Sequence, residues 1–125
     1  MNHLIGKQIQ KVSLSDDKEW IRFRVSTHKK LDDITYKAIG ECCSQSWIEN
    51  VEIMGELGVV LAISNDLISS NYSDDSNECI KTNLIRIRME YGTIDIDFRN
   101  SSNGYYSGYL EYWDDVVDAK WYKVM

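Results

Sequence analysis

The residues best suited to chemistry are the cysteines and histidines. Cys42 and Cys43 are adjacent, whereas Cys79 and His28 lie far from them along the chain. A Cys–His pair can supply a nucleophile with its base, and the same side chains can ligate zinc. Structural zinc sites space their cysteines two to four residues apart, whereas adjacent residues of a strand point to opposite sides. The pattern therefore favours free thiols in a reducing compartment and predicts no catalytic residue, metal or cofactor.

Paired carboxylates are the second candidate for chemistry. Adjacent aspartates occur at positions 16–17, 32–33, 74–75 and 114–115. Each pair falls where the composition indicates a turn or loop, a position that Asp favours because its side chain bonds the local backbone. The alternating oxygen ligands and distal glutamate of a calcium loop are missing from the sequence, and so is a glycine-rich phosphate loop. We therefore interpret the pairs as solvated turn residues and predict that the protein is not an enzyme.

The stretch 105–122 concentrates tyrosine, tryptophan and acidic residues. If it is extended, alternate side chains share a face, with Leu110 and Tyr112 on the core side. Tyrosine and tryptophan exposed among acids are typical of a recognition surface. The predicted partner-binding residues are Tyr105, Tyr109, Glu111, Trp113, Asp114 and Asp115. The alternative is that a helix or the C-terminal tail covers this face.

The charge distribution favours a basic protein partner. The net charge is −6, and residues 63–125 carry six Lys/Arg against eleven Asp/Glu. Phosphate neutralisation needs Lys and Arg, so this balance argues against nucleic-acid binding. Complementary charge accelerates encounter with a basic protein. The start of the chain lacks an apolar signal segment, and the longest apolar run, 59–63, is far shorter than a membrane span. We therefore expect a cytoplasmic protein.

The pattern over residues 84–113 predicts three antiparallel strands. A turn at 91–92 gives one register that satisfies an apolar face and a charged face together. The predicted pairs are Met89 with Ile94, Ile87 with Ile96, Ile85 with Phe98, Arg88 with Asp95, and Arg86 with Asp97. A three-residue loop with a left-handed Gly104 then leads to a third strand that opposes Leu110 to Ile96. We therefore predict a meander over residues 84–112.

The rest of the chain predicts further short strands and little helix. The predicted strands are 6–14, 20–25, 34–39, 47–53 and 59–64, and the predicted turns or loops are 15–18, 27–33 and 65–77. The segment 47–53 also fits a short helix; we favour a strand that leads into a helical turn at 54–57. Residues 116–124 fit a strand or a helical turn. We expect one domain, 1–125, of the α+β class and dominated by β-structure: antiparallel sheets of about six to eight short strands with one or two short helices.

Two blocks of the sequence are distinctive: Cys42-Cys43 followed by Ser46-Trp47-Ile48-Glu49-Asn50-Val51-Glu52, and Ser101-Ser102-Asn103-Gly104-Tyr105-Tyr106-Ser107. They resemble a small uncharacterised domain family found in bacteria and their phages. The order and spacing of the blocks, and the hairpin before them, are also similar over residues 5–112. The resemblance implies a small β-rich fold and an intracellular home, and it carries over no catalytic residue.

These observations predict a small acidic cytoplasmic protein that inhibits a protein partner, such as an immunity protein that neutralises a toxin or nuclease domain. The alternative is a phage-encoded counter-defence protein that blocks a host enzyme or sequesters a nucleotide signal. Sequestering a nucleotide needs a pocket with convergent basic groups, for which Arg22, Arg24 and Arg99 are the candidates. Neither a nucleic acid nor a membrane is predicted as a partner.

Overall fold

The computed structural model describes residues 1–28, 30–72, 78–103 and 106–125. Over these ranges the chain forms a 3-10 turn, Asn2–Leu4, and nine strands. The strands are β1 (Gln8–Ser15), β2 (Trp20–Thr27), β3 (Lys30–Gly40), β4 (Gln45–Gly55), β5 (Val60–Tyr72), β6 (Cys79–Met89), β7 (Gly92–Ser102), β8 (Gly108–Trp113) and β9 (Trp121–Lys123).

The strands form two antiparallel sheets. The five-stranded sheet has the order β8-β3-β2-β1-β9, and the four-stranded sheet has the order β4-β7-β6-β5. Apolar residues from both sheets form one buried cluster, so the inner faces pack together. The sheets also meet where the Gly6 and Val60 backbones bond and where Ile48 N donates to Lys18 O. The outer faces of both sheets are therefore left for solvent or for partners.

Alternation along β2 and β3 defines the core face of the five-stranded sheet. The buried residues of these two strands are Ile21, Phe23, Val25, Ile34, Thr35, Tyr36 and Ala38. All of them except Thr35 follow the period of two that places alternate side chains on one face. Pairing of Ile21 with Tyr36 and of Phe23 with Ile34 brings the apolar side chains together across the strands. This side is the inner face of the sheet.

Bulges interrupt the alternation in β1 and β4. Ile9 and Val12 are both buried although they are three residues apart, because the β1–β2 register shifts between Ile9 and Lys11. Ile48 and Val51 of β4 are likewise both buried although they are three residues apart, because the β4–β7 register shifts just after Ile48. One extra residue in a bulge moves the following side chains to the opposite phase of the pattern. This is why the segment 47–53 fitted neither a strand nor a helix cleanly.

The β6–β7 hairpin has the predicted faces but not the predicted partners. Ile87 lies opposite Ile94, and Arg86 opposite Asp95, so the turn residues are 90–91. Arg86 donates to both carboxylate oxygens of Asp95, at 2.7 and 2.9 Å. The wrong pairs are Met89 with Ile94, Ile87 with Ile96, Ile85 with Phe98, Arg88 with Asp95 and Arg86 with Asp97. A slip of two residues keeps every side chain on its own face, so both registers satisfy the apolar and charged pattern.

The predicted meander over residues 84–112 is wrong in its third strand. Leu110 of β8 lies opposite Ala38 of β3, in the five-stranded sheet. The second side of β7 is occupied by β4, which places Val51 opposite Ile96. The chain therefore passes from one sheet to the other after β7. The predicted left-handed Gly104 lies outside the described residues.

The predicted α+β class is also wrong, because the described chain is nearly all β-structure with nine strands. The segment 54–57 ends β4 and turns without a helix, and β5 runs through most of the predicted loop 65–77 to Tyr72. β5 is an edge strand, and most of its residues are exposed. Exposure lets a strand carry Ser, Asn and Asp, which is the composition that suggested a loop. Residues 73–77 lie outside the described chain.

Candidate partner-binding surface

Three tryptophans lie on the outer face of the five-stranded sheet. Trp20 is in β2, Trp113 in β8 and Trp121 in β9. Ile21 and Tyr36 are paired core residues, so strand alternation turns their neighbours outward. All three indoles are partly buried. Three strands that are scattered along the sequence thus build one aromatic surface.

Lys37 links two of the indoles. The rings of Trp20 and Trp113 meet edge to face, with their centroids 5.4 Å apart at an interplanar angle of 81°. The Lys37 ammonium lies 5.1 Å from the Trp20 ring centroid and 5.4 Å from that of Trp113. Edge-to-face aromatic pairs and cations over aromatic faces both attract electrostatically. These contacts hold the two rings in a defined orientation.

Arg22 fixes the third indole. Its guanidinium carbon lies 4.1 Å from the centroid of the Trp121 ring, and its Nε donates to Thr35 Oγ1 at 3.3 Å. Stacking of a planar guanidinium on an aromatic face combines cation–π attraction with close packing. We refer to Trp20, Trp113, Trp121, Arg22 and Lys37 together as the tryptophan cluster. It is a preorganised surface, since each ring is held by a neighbouring side chain.

The segment 114–120 crosses this sheet. It joins β8 at one edge to β9 at the other, and Asp16 N donates to Lys120 O at 2.9 Å. Ser13 and Thr35, which point away from the core, are nevertheless buried. Both residues flank Arg22 in the sheet, so the Arg22 side chain, which bonds Thr35 and stacks on Trp121, contributes to that burial. That the C-terminal tail covers this face stays a prediction.

The predicted binding residues are only partly brought together. Trp113 is in the tryptophan cluster, and Glu111 lies opposite Lys37 on the neighbouring strand. Tyr109 is exposed and lines a cleft of about 230 Å3 with Leu110 at the β8 edge. Asp114 and Asp115 are exposed and begin the crossing segment, and Tyr105 lies outside the described residues. The role of these residues in binding stays a prediction.

The charges around the cluster divide into a basic face and an acidic rim. By strand alternation the outer face carries Lys11, Arg22, Arg24, Lys37 and Lys123 together with Asp33 and Glu111. Arg24 is bridged to Asp33 at 3.1 Å. The rim consists of Asp16, Asp17 and Glu19 in the β1–β2 turn and of Asp114, Asp115 and Asp118 in the crossing segment. A partner on the tryptophans therefore meets basic side chains at the centre of the face and acids at the perimeter.

The fourth tryptophan, Trp47, lies in β4 of the other sheet. Its indole Nε1 donates to Glu49 Oε2 at 2.7 Å. That hydrogen bond lowers the pKa of the Glu49 carboxyl from its ordinary value, because it stabilises the ionised form; nearby Lys18 and Arg99 act in the same direction. Trp47 therefore offers a control of the same residue type on the other sheet, although it lines a cleft together with Lys37 and Glu19.

The three arginines proposed for nucleotide binding do not converge. Arg22 and Arg24 are on the five-stranded sheet, whereas Arg99 is in β7 and bonds both oxygens of Asp97 at 3.2 Å. Arg24 and Arg99 are each paired with an aspartate. Among the described residues there is no group of three or more metal-ligating side chains. None of the helical segments in those ranges is long and apolar enough to cross a membrane.

Sequence reasoning missed Trp20, Arg22, Lys37 and Trp121 as members of the surface. The signal for β2 was present, because Trp20 and Arg22 share the polar side of a clearly alternating strand. No signal in the sequence indicated the long-range strand pairing, and β8 was therefore assigned to the wrong sheet. Only the β3–β8 and β1–β9 pairings bring Trp113 and Trp121 to the same face as Trp20.

Comparison with known proteins places this chain in a family. Residues 2–111 match the domain described as a domain of unknown function, DUF7448. The chain is 33% identical over 116 residues to the uncharacterized protein L278 of Acanthamoeba polyphaga mimivirus, and the match covers 86% of this chain and 87% of that protein. No solved structure shows significant similarity to this chain. The expectation of an uncharacterised domain family is confirmed in this general form: the chain belongs to the DUF7448 family.

Proposed function

We propose that this protein binds and inhibits a protein partner, and that the outer face of the five-stranded sheet is its contact surface. The observation that carries the proposal is the tryptophan cluster, in which Arg22 and Lys37 hold three indoles on one face. Tryptophan, tyrosine and arginine dominate the hot spots of protein interfaces. Rings already held in place lose little conformational entropy when a partner binds.

The acidic rim supports a basic partner. Asp114 and Asp115 follow Trp113 directly, and Glu19 precedes Trp20, so each of these indoles has an acid beside it in sequence. Acids at the perimeter steer a basic protein toward the surface, while desolvated aromatics at the centre slow its release. Inhibition follows if these acids occupy a cationic substrate groove, as on a nuclease or toxin domain. An immunity protein in a cytoplasm is one form of this function, and a phage protein that blocks a host enzyme is another.

Sequestering of a nucleotide signal is the alternative. A nucleotide needs free aromatic faces and convergent cations. Arg22 already covers the Trp121 face, and Trp20 and Trp113 meet edge to face. This geometry favours the protein partner. Two points about the family stay predictions. One is that the Cys42–Cys43 and Ser101–Ser107 blocks are characteristic of it. The other is that the family occurs in bacteria and phages.

The test compares two tryptophan substitutions in a quantitative co-purification. Wild-type protein, Trp113→Ala and Trp47→Ala are used as bait against an extract of the cells in which the protein acts. The expected partner is retained by wild type and by Trp47→Ala and is lost with Trp113→Ala. The partner is then purified, and its activity is titrated with each of the three proteins.

We expect one-to-one inhibition by wild type and Trp47→Ala, and at least a tenfold weaker effect of Trp113→Ala, since hot-spot truncations cost about 2 kcal/mol or more. Equal inhibition by all three proteins would place the contact surface elsewhere. The purified wild-type protein is also heated, and any released nucleotide is identified by mass spectrometry. A bound nucleotide would contradict the protein partner and support the nucleotide-binding alternative.

A further inference from the structure

The loop that joins β3 to β4 brings two thiols together at the surface. Cys42 and Cys43 are both exposed, and their sulfur atoms are 3.3 Å apart. Cys42 has a φ of 42°, a left-handed conformation that is uncommon for a residue other than glycine. This bend places consecutive side chains on one side, whereas adjacent residues of a strand point apart. The backbone has therefore put the two sulfurs within reach of each other.

The surroundings activate one sulfur of the pair. The pKa of Cys42 is lowered by a hydrogen bond from the Cys43 thiol and by a second from the Tyr106 hydroxyl. The pKa of Cys43 is raised, because its proton is shared with the Cys42 sulfur. Cys43 also lines an open cavity of about 430 Å3 together with Glu78, Ser101 and Tyr106. A small oxidant can therefore reach the pair, and the two cysteines differ in reactivity.

We propose that Cys42 and Cys43 form a reversible thiol-oxidation site that reacts with hydroperoxides. The Cys42 thiolate attacks the outer oxygen of the peroxide, the O–O bond breaks, and Cys42 becomes a sulfenic acid while the peroxide leaves as an alcohol or water. The Cys43 thiol then attacks the Cys42 sulfur, an S–S bond forms, and water leaves. In total two thiols lose two hydrogen atoms, and one peroxide is reduced. Redox-sensing cysteines are typically exposed thiolates beside a resolving cysteine.

The disulfide formed here is expected to be easily reduced. Consecutive Cα atoms across a trans peptide are about 3.8 Å apart, whereas disulfide-bonded residues usually have Cα atoms about 4.4–6.8 Å apart. A bond between neighbours is therefore strained, and strained exposed disulfides have higher reduction potentials than structural ones. A small dithiol should restore both thiols quickly. The site would therefore cycle between two states.

The flanks of the loop are fixed, so the reaction stays local. Ser44 N and Ser44 Oγ both bond Glu41 O, at 3.0 and 2.6 Å, and Glu41 N donates to Ser107 O at 2.9 Å. The remaining cysteine, Cys79, is fully buried in β6. Cys79 should therefore stay reduced while the pair reacts. It serves as an internal control in every sample.

The test uses the full chain, hydrogen peroxide and a sulfenic-acid trap such as dimedone. In wild type we expect the loss of two hydrogen atoms per molecule, reversal by dithiothreitol, and a cross-link that peptide mapping assigns to Cys42 and Cys43. In Cys43→Ser the trap should label Cys42, because the resolving thiol is missing. In Cys42→Ser we expect at least tenfold slower labelling of Cys43. Tyr106→Phe, which removes one hydrogen bond to Cys42, should slow oxidation several-fold.

Three outcomes would overturn the proposal. One is equal trapping of both single variants, which would mean that Cys42 is not activated. Another is oxidation of Cys79 as fast as of the pair, which would indicate reaction through unfolding. The third is a disulfide-linked dimer as the main product, which would show that the two sulfurs do not close on each other. The circular dichroism spectrum of each variant shows whether the fold is intact.

Discussion

At the scale of single residues, the acids after Trp113 have a separable effect. Asp114 and Asp115 are exposed at the rim, where charge mainly alters the association rate. We expect Asp114→Asn combined with Asp115→Asn to slow association with a basic partner several-fold at low salt and to leave dissociation unchanged. At high salt the difference should disappear, because the Debye length falls to about 3 Å at 1 M. Surface plasmon resonance across a salt series measures both rates.

The control for this pair is Glu52→Gln with Glu56→Gln, two exposed acids in and just after β4 of the four-stranded sheet. If the control pair changes the association rate as much as the rim pair, overall charge and not the rim steers the partner. If the rim pair changes neither rate, the basic partner is excluded for this surface.

The Arg86–Asp95 pair makes stability depend on acid pH. Hydrogen bonds from Arg86 lower the pKa of the Asp95 carboxyl in the folded protein, while an unfolded Asp titrates near pH 3.9. The contribution of Asp95 is therefore complete above the unfolded pKa and is lost as the pH falls through the folded one. We expect Asp95→Asn to lower Tm at pH 7 by no more than about 4 °C, since the pair is near the surface.

The difference in Tm between Asp95→Asn and wild type should shrink below about pH 4, because Asp95 of the wild type becomes protonated there. Thermal melts at a series of pH values measure it. A difference that stays constant down to pH 2 would show that the ion pair is not its source. Asp66→Asn on the exposed edge strand β5 is the control, and its difference from wild type should be smaller at every pH.

At the scale of secondary-structure elements, a close backbone approach fixes the end of the β4–β7 pair. Gly55 has a φ of +79°, and a Cβ there would clash with the Tyr91 carbonyl oxygen. We expect Gly55→Ala to destabilise the fold by more than about 1 kcal/mol, because both the conformation and the space exclude a side chain. Gly58→Ala is the control, since its Cβ would meet no atom within 4 Å. Chemical denaturation of both variants provides the comparison; equal stabilities would contradict the register of this strand pair.

The elements also show how far local pattern carries a prediction. Faces were predictable: Ile85, Ile87 and Phe98 are all buried, as the alternation required. Partners were not, since the pairing Arg86 with Asp95 and the predicted pairing Arg86 with Asp97 differ by a slip that preserves both faces. The bulges of β1 and β4 add single residues that a period of two does not contain.

At the scale of the whole molecule, the C-terminal tail completes the five-stranded sheet, because β9 pairs with the free edge of β1. Val124 N donates to Val12 O at 2.8 Å, and Val12 N donates to Met125 O at 2.9 Å. The family match ends at residue 111, before this part of the chain. The buried cluster of both sheets is built almost entirely from residues that precede it. The tail is therefore expected to protect the β1 edge more than it holds the fold.

A chain that ends at Trp113 should fold, with a lower Tm than the full chain. Amide exchange at Val12 should accelerate strongly because its acceptor is lost, while exchange at Phe23 in the centre of the sheet should stay slow. An unfolded product, or equal protection of Val12 with and without the tail, would contradict this arrangement.

The site was predictable only where it is local. Trp113 and the acids after it could be selected because they adjoin each other in sequence. The cluster as a whole depends on β8 pairing with β3 and on β9 pairing with β1, and these contacts join distant parts of the chain. The charge count of the sequence did not indicate the basic face. Lys11, Arg22 and Lys37 lie in the N-terminal half, where basic and acidic residues are nearly equal in number.

The most direct measurement of the central claim is a proton–nitrogen correlation spectrum of the indole groups, recorded with and without the partner. The four tryptophans give four indole signals, assigned by single Trp→Phe substitutions. We predict that the signals of Trp20, Trp113 and Trp121 shift or broaden on binding and that the signal of Trp47 stays in place. Movement of the Trp47 signal alone, with the other three unchanged, would contradict the account and move the contact surface to the four-stranded sheet.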